Sequence, residues 1–156
     1  MQNSNEKFLK KIVEKSASLF KHIVLPEGDD SRTIEAARII AEKKIAKLTI
    51  LGNAEKISAQ LKETSTDTTS ISVINPSESD KLEEYASALY ELRKHKGLDL
   101  ETAREMVMDV VYYATMMVKL DEADGMVAGA AHASADAIRP ALQIIKAAPG
   151  VKTISS

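Results

Sequence analysis

Two arginines and one loop of very small residues are the groups in this sequence with the types and spacing to hold a phosphate. Arg93 opens the basic run Arg93-Lys94-His95-Lys96. Arg139 stands shortly after Gly125-Met126-Val127-Ala128-Gly129-Ala130-Ala131-His132-Ala133-Ser134. A guanidinium binds phosphate oxygens through paired, charge-assisted hydrogen bonds that Lys does not reproduce. Small residues such as Gly129 and Ala130 let a ligand approach the backbone, and N–H groups at the start of the helix that follows can point at an anion. Each feature also has a plainer reading. Small residues permit close packing of helix on sheet, and a basic last turn complements a helix dipole. Pro26-Glu27-Gly28-Asp29-Asp30-Ser31-Arg32 joins a strand end to a helix start, but its two Asp residues would repel an anion. It reads as a turn and helix cap, with Arg32 free to meet either a phosphate or a neighbouring carboxylate. His132 and Asp136 share i, i+4 spacing without an evident third ligand, so no metal is assigned. Neither G-x-G-x-x-G, G-x-x-x-x-G-K nor G-x-S-x-G occurs.

Composition narrows the field further. The 156 residues suit about one domain, and 44% apolar content is enough for its core. With 21 basic and 23 acidic side chains the net charge is −2, which argues against a general nucleic-acid binder. Four Tyr, two Phe and no Trp disfavour a base-stacking platform. The absence of Cys excludes zinc-thiolate sites, iron–sulfur clusters and cysteine nucleophiles. The N-terminus has no signal-peptide core. The longest apolar stretch, Met106 to Val118, carries Asp109 and is too short to cross a bilayer. A soluble cytoplasmic chain with no membrane or nucleic-acid partner is expected.

The elements that must position these residues follow from periodicity. A helix from Asn5 to Phe20 repeats Phe8, Leu9, Ile12 and Val13 on one face. Short apolar runs at His22–Leu25, Leu48–Leu51, Ile71–Ile74, Ala123–Ala128 and Val151–Ser155 predict five strands. Helices fall between them: one around Ile34–Ala41, one at Ala54–Leu61, and a long one capped by Ser77 that ends at Arg93–Gly97. Another is capped by Asp99 and runs to about Leu120. The last starts near Ser134, with Pro140 opening a fresh turn. Continuous apolar strands alternating with helices predict an α/β fold: a three-layer α/β/α sandwich around a mostly parallel sheet. In such sheets ligands bind beyond the carboxyl ends of strands, which points to the turns after Leu25, Leu51, Ile74 and Ala128.

Three stretches, LPEGDDSRTIEAA, YELRKHKG and DGMVAGAAHASADAIRPALQIIK, resemble the phosphate acetyltransferase family, and the resemblance runs from about Asn5 to the last residue, Ser156. It implies a two-domain α/β enzyme, usually a homodimer, of which residues 1–156 would be the N-terminal domain. The implied reaction interconverts acetyl-CoA and phosphate with acetyl phosphate and CoA, with CoA as substrate and no tightly bound cofactor or metal. By resemblance, Arg93 and Arg139 match arginines associated with the phosphates of CoA, and Gly129, Ala130, His132 and Ser134 would line the same cleft. The family's catalytic aspartate, arginine and serine are expected in motifs beyond Ser156, so no catalytic residue is assigned and these 156 residues alone are expected to be inactive. A phosphate butyryltransferase, or a non-catalytic regulatory domain of phosphotransacetylase type, are the alternatives.

Overall fold

Within the computed structural model, residues 4–147 and 149–151 are described. Four strands, β1 (His22–Leu25), β2 (Lys47–Leu51), β3 (Ile71–Ile74) and β4 (Gly125–Met126), form one parallel sheet in the order β3-β2-β1-β4. Around it lie α1 (Ser4–Leu19), α2 (Ser31–Glu42), α3 (Ala54–Glu63), α4 (Leu82–Arg93), α5 (Leu100–Met108), α6 (Val110–Lys119) and α7 (Ser134–Ile144).

Strand alternation sorts the core into two faces. Leu25, Leu48 and Ile50 pack with Ile34 and Ala37 of α2 and Ile57 and Leu61 of α3. Val24 and Leu51 point the other way and join Tyr85 and Leu89 of α4, Val107 of α5 and Tyr113 and Met116 of α6. Side chains on a strand alternate faces, so each apolar run serves both layers, and the three-layer α/β/α sandwich follows. Burial of each such side chain is worth roughly 1.5–3 kcal/mol. No helix among the described residues is long and apolar enough to cross a membrane.

The chain steps outward from β1 to β2 to β3, then returns to place β4 on the other side of β1. The sheet order therefore reverses between β1 and β4, and that switch point leaves a crevice at the carboxyl ends of those two strands. The turn after β1 is pressed hard against its neighbours. Gly28 N–H donates to Leu51 O at 3.0 Å, and a Cβ at Gly28 would lie 2.6 Å from that same oxygen. Only glycine fits there.

Several sequence expectations need correction. Ser77 does not cap the long helix. Asn75 Oδ1 accepts from Ser77 N–H at 3.3 Å and caps a 3₁₀ turn over Pro76–Glu78. Ser79 is extended, so α4 begins only at Leu82. The expected helix from Asp99 to Leu120 is two helices. Asp109 (φ −71°, ψ 133°) ends α5, and its Oδ1 accepts from Val111 N–H at 2.9 Å and Tyr112 N–H at 3.1 Å to start α6. Pro140 opens no fresh turn, because α7 runs through it. Its buried ring and buried Ile144 seat α7 on α6, and that packing outweighs the missing N–H. The fourth strand is shorter than Ala123–Ala128, since only Gly125 and Met126 align with β1 before the chain turns away. Of the expected strand Val151–Ser155, residues 152–155 lie outside the described residues, and Val151 belongs to no strand. Ser156, beyond which the catalytic motifs are expected, lies outside the described residues as well. α1 forms as expected, yet Phe8, Leu9 and Ile12 on its apolar stripe are exposed.

Candidate functional site

The crevice between β1 and β4 is closed by one carboxylate. Glu27, just past the end of β1, is only 5% exposed. Its Oε2 accepts the N–H of Gly129 at 2.9 Å and of Ala130 at 2.7 Å. Its Oε1 accepts the N–H of Ala131 at 2.7 Å and of His132 at 2.8 Å, and meets His132 Nδ1 at 2.9 Å. Four successive amides thus converge on one buried anion, a backbone nest. Gly129 enters it at φ +114°, a conformation side chains rarely adopt. Burial by itself pushes the Glu27 carboxyl up. The N–H groups of Ala131, His132 and Ala130 and the His132 ring outweigh that and bring it down to about 2.

This arrangement revises the reading of the small-residue loop. The N–H groups of Gly129, Ala130, Ala131 and His132 are turned onto Glu27, so these loop amides hold the protein's own carboxylate, and the anion expectation is left to the helix start at Ser134 and to Arg139. A second tie runs the same way. Arg32 pairs with Asp30 at 2.6 Å and also donates to Ala130 O. Asp30 in turn caps α2 by accepting from Arg32 N–H at 2.8 Å. The turn-and-cap reading of Pro26–Arg32 therefore holds for Asp30 and Arg32, while Glu27 does something the sequence did not disclose.

Beside the nest is a cavity of about 300 Å³ lined by Asp109, Tyr112, His132, Asp136 and Arg139. Arg139 is exposed and meets Asp136 at 3.6 Å. An exposed pair of this kind is worth little, so Arg139 can exchange Asp136 for a ligand phosphate at small cost. Arg93, at the end of α4, is half-buried and donates through Nη1 to Gln143 O at 3.0 Å. The Gln143 side chain accepts from Tyr112 O–H at 2.9 Å. Burial raises the Tyr112 hydroxyl pKa, and the nearby positive charges of Arg139 and Arg93 oppose that rise. One tyrosine thus senses both arginines, although they lie on helices far apart in sequence.

Of the residues singled out from sequence, Gly129, Ala130 and His132 share the nest, and His132 and Arg139 share the cavity. Arg93 is outside the cavity lining and is linked to Tyr112 through Gln143, and Ser134 is exposed at the first position of α7. Lys94 is paired with Glu91 at 2.5 Å. Sequence reasoning missed Glu27, Tyr112 and Gln143. The one available signal for Glu27 was an acidic residue immediately beyond a strand end; its partners lie about a hundred residues away.

Residues 7–156 match the family model described as phosphate acetyl/butaryl transferase. The chain is 49% identical over 149 residues to the phosphate acetyltransferase of Acetivibrio thermocellus, covering 96% of this chain and 44% of that protein. It is 44% identical over 151 residues to the phosphate acetyltransferase of Synechocystis sp., covering 96% and 22%. Among solved structures, a phosphotransacetylase from Streptococcus pyogenes superposes with a TM-score of 0.89 at 37% identity, over 97% of this chain and 46% of that one. The EutD phosphotransacetylase from Staphylococcus aureus gives 0.85 at 36% identity, over 97% and 46%. The chain spans less than half the length of these relatives.

Proposed function

The chain belongs to the phosphate acetyl/butaryl transferase family, and from that premise we propose that it carries the CoA-binding face of a phosphate acetyltransferase. The reaction proposed is acetyl-CoA plus phosphate to acetyl phosphate plus CoA. The observation that carries this reading is the cavity beside the Glu27 nest, lined by Arg139, His132 and Tyr112, with the charge of Arg93 also acting on Tyr112. Arg139 supplies an exposed guanidinium whose present partner is weakly held. Arg93 adds positive charge while anchored through Gln143. Phosphates of CoA suit such a pair, and the relatives named as phosphate acetyltransferases favour acetyl over butyryl transfer.

The chemical step is proposed to lie with aspartate, arginine and serine motifs that residues 1–156 do not contain. Base catalysis and oxyanion stabilisation each contribute roughly 10²-fold or more. An acetyl phosphate assay of the 156-residue chain alone is therefore expected to stay at background, and near-normal turnover would overturn this division of labour.

Calorimetric titration with CoA tests the binding claim. Weak binding that falls as salt rises is expected, because the contacts are to phosphate. Arg139→Ala and Arg93→Ala should each abolish it. Saturable binding of equal strength in the parent and both variants would contradict the assignment.

A further inference from the structure

Two observations converge on His132. Its Nδ1 lies 2.9 Å from Oε1 of Glu27, and that carboxylate is buried and fully committed as an acceptor. The ring also lines the cavity that holds Arg139. An ionised carboxylate offers only lone pairs, and Glu27 stays ionised through the neutral range because its amide partners hold its pKa near 2. Nδ1 must therefore carry the proton. In a neutral ring Nε2 is then the bare nitrogen, and it stands across the ring from Glu27. A hydrogen bond of this kind, made behind the ring, is what selects a histidine tautomer.

We propose that Glu27 is a positioning residue that holds His132 in its Nδ1–H form, so that Nε2 serves the ligand cavity as a hydrogen-bond acceptor for an N–H, O–H or S–H group of the ligand. The division of the cavity follows. Arg139 donates and receives the anionic end of a ligand, while His132 accepts and receives a donor group elsewhere on it. Ionised phosphate oxygens, which only accept, are not served by Nε2. The tautomer claim stands on the geometry of Glu27 alone; the ligand claim rests on the CoA reading above.

Nitrogen-15 NMR of the imidazole rings separates the two. The chain has three histidines, so each ring can be resolved, and His132→Gln removes one set of signals to assign it. At a pH where the rings are neutral, His132 is expected to show a protonated Nδ1 and a bare Nε2 in the unaltered chain. A protonated Nε2 there would overturn the proposal without need of any variant. Glu27→Leu, which leaves no acceptor behind Nδ1, is expected to return His132 toward the Nε2–H form. His22 serves as an internal control, since its Nδ1 faces Glu122 O at 2.8 Å and its Nε2 faces Thr49 Oγ1 at 2.8 Å, independent of Glu27. A His132 tautomer unmoved in a folded Glu27→Leu variant would overturn the positioning role. Adding CoA should move the His132 Nε2 resonance and leave Nδ1 in place. CoA binding seen at other resonances with Nε2 unmoved would overturn the acceptor role. Absence of any CoA binding would overturn the acceptor role together with the CoA reading, while the tautomer result would still stand or fall by itself.

Discussion

Glu27 concentrates the chemistry of this domain at one side chain. It brings a negative charge into a nearly dry position and surrounds it with four amide donors and a ring N–H. Removing the charge leaves those amides facing a poorer acceptor, and Glu27→Gln is expected to lower stability by about 3 kcal/mol at neutral pH. The pH dependence has a definite sign. A carboxyl held at about 2 in the folded state contributes stability above the ordinary carboxylate range and loses it as pH falls from about 4.5 towards 2. Urea midpoints of parent and Glu27→Gln should therefore differ most at neutral pH and converge near pH 2. A constant gap across that range would show that the charge is not what holds the loop. None of this was legible in the sequence. Glu27 sat among two Asp residues in a turn, and nothing local showed that its acceptor atoms meet residues 129–132. Arg93 and Arg139 could be singled out as candidates because guanidinium chemistry is a property of the residue type, but the Tyr112 that both charges reach depends on how α4, α6 and α7 pack.

Among the elements, the break at Asp109 matters most to the site. The apolar run from Met106 to Val118 has no Pro or Gly to stop a helix, so periodicity reads it as continuous with α5. Asp109 interrupts it by turning its own carboxylate onto the next two free amides, which is the competition that makes Asp a cap and a poor interior residue. The consequence is a change of helix direction that places Tyr112 and Asp109 beside the cavity. Asp109→Ala is expected to lower the urea-unfolding stability by about 1–2 kcal/mol, whereas Asp109→Asn, which caps as well, should stay within a few tenths of a kcal/mol of the parent. Equal losses in both would mean that the charge, not the cap, is what Asp109 contributes. Strand positions and the two-faced sheet were readable because β-branched runs bounded by Pro26, Gly52 and Pro76 leave few alternatives. The course of α7 through Pro140 was not, since burial against α6 overrides a local rule.

At the level of the whole molecule, the parallel sheet order β3-β2-β1-β4 creates the crevice, Glu27 and Arg32 tie its two sides together, Arg139 of α7 lines the cavity beside the nest, and Arg93 of α4 is tied through Gln143 to Tyr112 of that cavity. The central functional claim is that CoA rests at that cavity. Amide and side-chain shift mapping of the isotopically labelled chain with CoA tests it most directly. Perturbations are expected at Arg93, at Asp109–Tyr112 and across Gly129–Arg139, and they should disappear in Arg139→Ala. Perturbations centred on Asp121–Asp124, at the opposite end of the sheet, or a map unchanged by Arg139→Ala, would contradict it.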